Sequence, residues 1–278
     1  MNKGFFARFF RRHGSLVLRG LSFFYVGLLI ILPILAIAAE ALKGGFPNLW
    51  TNITAPAALA SLKLTFLTAF MMVILNVITG TATAWVLVRY EFPFKNLMNA
   101  LIDLPFAIPT VVTGIMLVAL YGPNSPVGGF LEKKGIDVIF ARPGIIMALL
   151  YVSFPFVVRA VQPVLQEMDK DMEEAAKTLG ARPFTIFRRI VLPTLLPAVL
   201  TGAALSFSRA IGEFGSIAIV SGNIPFKTQV ASVYVYGELE SYNPQGALGL
   251  SVVLLLCSLL ILIFLNRLQV WSRKHAAV

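Results

Sequence analysis

Six runs of apolar residues, each about as long as the oily core of a bilayer requires, constrain this chain more than any other feature. Within hydrocarbon no water reaches the backbone, so a crossing segment must satisfy its own N–H and C=O groups. A helix does so with about 20 mainly apolar residues at 1.5 Å each. The candidate spans are roughly 18–40, 61–88, 97–121, 139–162, 193–221 and 245–266. The stretch KGGFPNLWTNITAP after the first run reads as loop, Pro93 punctuates the second turn, and GPNSPVGG at 122–129 the third. Charged residues make up only 13% of the chain, against about 25% in a soluble domain. The fold class expected is an all-α polytopic membrane protein with six transmembrane helices.

The net charge of +10 does not point to nucleic acid, because the basic residues sit in short clusters between apolar runs. One side of the predicted bundle carries Lys3, Arg8, Arg11, Arg12, Arg19, Arg89, Lys95, Arg159, Lys170, Lys177, Arg182, Arg188, Arg189, Arg267, Arg273 and Lys274. The other carries Lys43, Lys63, Lys133, Lys134, Arg142 and Lys227. That bias predicts that both termini and the long loop after the fourth span are cytoplasmic. The AIAAEA segment at 36–41 resembles a signal-peptide cleavage site. The apolar run before it exceeds the about 7–15 residues of a signal core, so a retained helix is expected. Cys257 is the only cysteine, so no disulfide forms within the chain, and His13 and His275 lie near the termini. No metal site, cofactor or catalytic group is expected.

The loop between the fourth and fifth spans is unusually well specified. Asp171, Glu173 and Glu174 crowd the start of a short helix, where carboxylates suit the positive end of the macrodipole. Glu173 and Lys177 stand i,i+4 in the favourable order. Gly180 permits the left-handed residue that ends a helix, and Pro183 fits the first turn of the next. Arg188 and Arg189 then close a basic second helix, and Pro193 opens the following span. On these grounds alone the segment is a helix–turn–helix, either a solvated hairpin or a docking surface.

The segment EAAKTLGARPFTIFRRIVLP makes the resemblance specific. Glu174-Ala175-Ala176, three residues, Gly180, nine residues and then Ile190, Leu192 and Pro193 match the cytoplasmic signature of bacterial ABC importer permeases without a gap. The resemblance implies a type I importer permease fold whose cytoplasmic coupling helices dock in a cleft on a separate ATPase subunit. Glu174 and Gly180 would be the central contacts, with Ala175 and Ala176 permitting close approach. The chain has no GxxxxGK[ST] phosphate loop, so it is not expected to be an enzyme. The implied domains are a cytoplasmic tail at 1–17, the first helix and external loop at 18–60, a permease core at 61–268 containing a coupling loop at 167–192, and a tail at 269–278.

Two further motifs bear on the cargo. The fifth span carries Arg209, Gly212, Glu213 and Gly215, and charges at membrane depth are usually paired or line a pathway. The third carries Asp103, Pro105, Pro109, Thr110, Thr113 and Gly114; its two prolines invite a kink, and its threonines suit either a gate or plain helix–helix contacts. LPFAIPTVVTG and RAIGEFG resemble the oxyanion branch of these importers, and SGNIPFKTQVASVYVY is similar to its sulfate/thiosulfate permeases, the T-type subunit most of all. The resemblance implies two ATPase subunits, a paralogous permease in a heterodimer, an extracytoplasmic sulfate- or thiosulfate-binding protein and a place in the bacterial cytoplasmic (inner) membrane. The alternatives are a molybdate or tungstate permease and, from another class, an ion-coupled secondary anion transporter. Several midplane carboxylates would mark the last, and Glu213 is the acidic residue set well inside a span.

Overall fold

The computed structural model describes residues 18–276. The predicted tail at 1–17 and residues 277–278 lie outside the described residues. All regular structure in the described part is helical. Five helices are long and apolar enough to cross a membrane: α1 (Leu18–Leu42), α3 (Pro56–Arg89), α7 (Arg142–Glu167), α9 (Pro183–Ile211), and the apolar part, Pro244–Phe264, of α12 (Pro244–Ala276). The third predicted span is different. It consists of α4 (Lys95–Ala107) and α5 (Thr110–Tyr121), bent by 114° at a short break. The count reaches six only when this bent pair is taken as one span.

Proline chemistry explains the break. Pro109 pushes the residue before it out of the helical region, and Ile108 accordingly sits at φ −83°, ψ 128°. Pro109 itself is extended at φ −56°, ψ 135°, and its carbonyl accepts the first hydrogen bond of α5 from Thr113 N–H. Pro105, by contrast, stays inside α4. Of two prolines expected to kink one helix, only Pro109 ends it.

Other boundaries also move. The stretch expected as loop after the first span contains α2 (Gly45–Ile53), and α3 starts at Pro56 in the favoured first-turn position. GPNSPVGG leads into α6 (Pro126–Glu132), whose first turn is capped by Ser125 Oγ accepting from Gly128 N–H at 2.8 Å. The fifth span runs from Pro183 to Ile211 without stopping at Pro193. Its first turns widen into a π-turn at Phe187–Val191, where Leu192 N–H donates to Phe187 O, five residues back. α1 does the same at Gly27–Ile31, with Leu32 N–H donating to Gly27 O immediately before Pro33. A proline ring normally strikes the carbonyl four residues earlier. The wide turn before each Leu-Pro pair removes that collision, so the helix continues.

The core is α3, α7 and α9. A Cβ at Gly80 would lie 2.9 Å from Val157 Cβ, and one at Gly202 would lie 2.7 Å from Val157 Cα, so two glycines let three backbones meet at one level. Beside them the fully buried Asn76 Nδ2 donates to Ser153 O at 2.8 Å and Ser206 Oγ at 3.0 Å, tying all three helices. Toward the loop side, Leu87, Val158, Val161, Leu165, Val191 and Leu195 pack together; toward the opposite side, Met72, Ile145, Leu149 and Ile217 do. Among its described residues α1 buries only Ala41, so its apolar surface faces outward, as lipid contact demands.

Candidate functional site

The loop between the fourth and fifth predicted spans folds as a helical hairpin at one end of the bundle. α8 (Asp171–Thr178) carries its three carboxylates in the first turn and Lys177 in the last. It ends in a Schellman turn: Ala181 N–H donates to Ala176 O at 3.0 Å and Gly180 N–H to Lys177 O at 2.9 Å. Gly180 stands at φ +81°, a conformation that strains any other residue here. Glu174, Ala175 and Gly180 are exposed and Ala176 is half-buried, so these face away from the bundle. Ile190 is half-buried and Leu192 and Pro193 are exposed, but all three now belong to the root of α9 rather than to a junction between helices.

Two details escape a reading of the sequence. Apolar side chains stand out from this polar hairpin, with Leu179 88% and Phe184 71% exposed. Glu173 forms its ion pair with Arg89 at the end of α3, not with Lys177 as the local spacing suggests. Arg89 also lies over the Trp85 ring at 5.3 Å, and Trp85 meets Phe187 edge-on at 5.8 Å.

At the other end of α9 the helix stops at Gly212, and α10 (Gly215–Val220) starts after a three-residue break. Arg209 Nη1 pairs with Glu213 Oε2 at 2.7 Å, but not on one helix face as the spacing suggests, because Glu213 lies in the break beyond the end of α9. The side chain of Glu213 is 1% exposed and that of Arg209 33%. Glu213 Oε1 also accepts from Ser216 N–H at 2.9 Å and Ser216 Oγ at 2.8 Å, so the carboxylate holds the α9–α10 corner as well as the arginine. Ser232 Oγ donates to Glu213 O at 2.7 Å and fastens α11 (Ala231–Glu240) to the same corner.

The tip of α5 packs here. A Cβ at Gly215 would collide with Thr110 Oγ1 and come within 3.0 Å of Val111 N, while one at Gly114 would lie 2.8 Å from Ser216 O. Gly215 and Gly114 thus permit the approach of α5 to α10. Gly212 has open space around it and an ordinary φ of −87°, so neither contact nor strain requires glycine there. Thr113 is buried without a partner for its hydroxyl, whereas Thr110 is half-buried and Pro109 exposed.

A third polar cluster joins α4 to α7. Arg159 holds Asp103 through two bonds, Nε to Oδ1 at 2.7 Å and Nη2 to Oδ2 at 2.6 Å. It also donates to Asn99 Oδ1 at 2.8 Å, Asn99 O at 2.8 Å and Gln162 Oε1 at 2.6 Å. The signal for it was legible: a carboxylate inside the third run and an arginine near the end of the fourth. No cluster among the described residues has the His, Cys, Asp and Glu ligands of a metal site.

This architecture is a multi-pass membrane bundle with one broken span and a docking-type hairpin on the loop side. Its backbone superposes on a subunit of a bacterial ABC transporter involved in import of the acidic polysaccharide alginate, with a TM-score of 0.78, 18% identity, and coverage of 97% of this chain and 98% of that one. A chain of the MetNI methionine ABC transporter, in inward-facing form, follows at TM-score 0.58, 19% identity, and coverage of 82% and 99%. Residues 76–277 match the family described as binding-protein-dependent transport system inner membrane component, and the chain belongs to that family. It is similar to the probable sulfate transport system permease protein cysT of Nephroselmis olivacea, at 45% identity over 91% of this chain and 89% of that protein. Its similarity to the sulfate transport system permease protein CysT of Salmonella typhimurium is 42% identity over 90% of each.

Proposed function

We propose that this chain is a membrane-spanning permease subunit of an ATP-driven importer that carries sulfate, with thiosulfate as a related cargo, into the cytoplasm. The observation that carries the reading is the hairpin itself. Exposed Glu174, Ala175, Gly180, Leu179 and Phe184 form a mixed polar and apolar face, held rigid by the Schellman turn, on a chain with no phosphate loop of its own. The similarity to sulfate permeases over nine-tenths of the chain supports the cargo.

In this reading the hairpin docks on one of two ATPase subunits, Glu174 and Gly180 lying at the centre of the contact. A paralogous permease completes the pathway, and an extracytoplasmic binding protein delivers the anion. The complex sits in the cytoplasmic membrane of a bacterium, with both termini and the hairpin on the inner side, as the basic residues predict. Closure of the ATPase pair draws the hairpins together. The rigid, unbroken path from Pro183 to Ile211 carries the displacement about 24 Å, from Pro193 to Arg209, at 1.5 Å per residue. There Arg209, Glu213 and Gly215 meet the α5 tip at Pro109, Thr110 and Thr113 and form the gate. Glu213 neutralises Arg209 by a single bond, leaving a partly exposed guanidinium with N–H groups for a passing dianion. A weak site is what passage needs, because tight binding would block release.

Uptake of radiolabelled sulfate by cells with and without the gene tests the reading. Uptake is expected to require this chain and the ATPase together. Uptake that survives deletion of the ATPase overturns it.

A further inference from the structure

We infer that Arg89 is the pivot through which movement of the coupling hairpin enters the transmembrane bundle, with Glu173 as its latch. The inference rests on the reading of the hairpin as the ATPase-docking element.

α8 buries none of its residues, and its main packing is against the start of α9 across its own turn. Among the described residues the ion pair that ties α8 to the bundle is Glu173–Arg89, with side chains only 12% and 10% exposed. Arg89 is the last residue of α3, a 34-residue helix in the core. Its guanidinium rests on Trp85, and Trp85 abuts Phe187, the first residue of the π-turn at the root of α9. Both arms of the hairpin thus converge on the final turn of α3, one through a charge and one through two aromatic rings.

The bonding of the two arginines separates a pivot from a brace. Arg159 makes five hydrogen bonds and grips Asp103 with two of them. Arg89 grips Glu173 through a single Nη2–Oε1 bond, and its buried Nε has no partner. A one-point contact lets the carboxylate swing about the nitrogen, whereas a two-point contact fixes the angle. Trp85, Phe187, Phe184, Pro183 and Tyr90 line an apolar groove of about 1030 Å³ alongside the joint. Because the ion pair uses one donor rather than a planar fork, lysine at position 89 can keep the pair, though not the guanidinium stacked on Trp85, whereas lysine at 159 loses the two-point grip.

The test uses the full complex of both permeases, ATPase and binding protein reconstituted in vesicles, reading sulfate moved per ATP hydrolysed. In Arg89→Ala and in Glu173→Gln the complex is expected to co-purify and hydrolyse ATP, while sulfate per ATP falls about tenfold, the scale of a typical coupling free energy. Arg89→Lys, and the exchange Arg89→Glu with Glu173→Arg, keep the ion pair but not the guanidinium stacked on Trp85, and restore part of the ratio. An unchanged ratio in Glu173→Gln, with the wild-type complex active, overturns the pivot and leaves the transport reading standing. Failure of the wild-type chain to bind the ATPase defeats the transport reading instead. Should Arg89→Ala not assemble, the exchange variant decides: assembly with a low ratio also overturns the pivot.

Discussion

Arg159 and Gly215 show how single residues hold the moving parts in place. Arg159 joins the broken span to α7 with two bonds to Asp103 and three to neighbouring amide oxygens. Both charges are partly exposed, which limits their worth, so Arg159→Ala is expected to cost about 1–2 kcal/mol. Arg159→Lys should recover little, because one ammonium cannot copy a planar fork. Thermal unfolding in detergent checks both values. Gly215→Val forces a side chain into Thr110 and Val111, and overpacking of this kind costs about 1–3 kcal/mol. The same unfolding assay should register it, while Gly212→Ala, with open space around it, should be neutral. Glu213 was legible as the partner of Arg209 from spacing alone. Its second role, capping α10 through Ser216, depended on a helix break that only the folded corner reveals.

The membrane spans in this chain were readable mostly in place, because about 20 consecutive apolar residues admit few other structures, although the count reaches six only with the bent pair taken as one. Their ends were not, and the prolines explain why. Pro105 sits within α4, Pro109 ends it, and Pro193 is passed by a π-turn, although each is a proline in an apolar run. The outcome depends on the local backbone, a widened π-turn before Pro193 and an extended Ile108–Pro109 pair, which sequence spacing does not record. Pro109→Ala returns an N–H and frees Ile108, so the 114° turn loses its main cause. In a Cys257→Ala background, Thr113→Cys should resist thiol labelling, since Thr113 is buried. Adding Pro109→Ala should expose it as α5 leaves α10, and equal labelling rates would show that packing alone holds the bend. At the loop, Leu179→Asp or Phe184→Asp should abolish co-purification of the ATPase without lowering stability, because neither side chain is buried in the chain itself.

At the scale of the whole molecule, the proposed function has one end read the partner and the other meet the cargo, with α9 between them. The loop end was the more legible: the acidic first turn at Asp171, Glu173 and Glu174, the left-handed Gly180 and Pro183 in a first turn specify a hairpin through local rules, although Pro193 does not end it. Its attachment to α3 was not, since Glu173 prefers Arg89, 84 residues away, over Lys177 on its own helix. The end proposed to meet the cargo is built from α5, α9, α10 and α11, and in that proposal a second permease supplies the other half of the pathway. The central claim is that the hairpin couples ATP hydrolysis to sulfate movement. Its most direct test is sulfate accumulation in vesicles holding the full complex, compared between the wild-type chain and Glu174→Lys, with ATP and without. The account predicts ATP-dependent accumulation in the wild type and none in the variant, whose helices stay folded because Glu174 is exposed. Equal accumulation by the two, or accumulation without ATP, would contradict it.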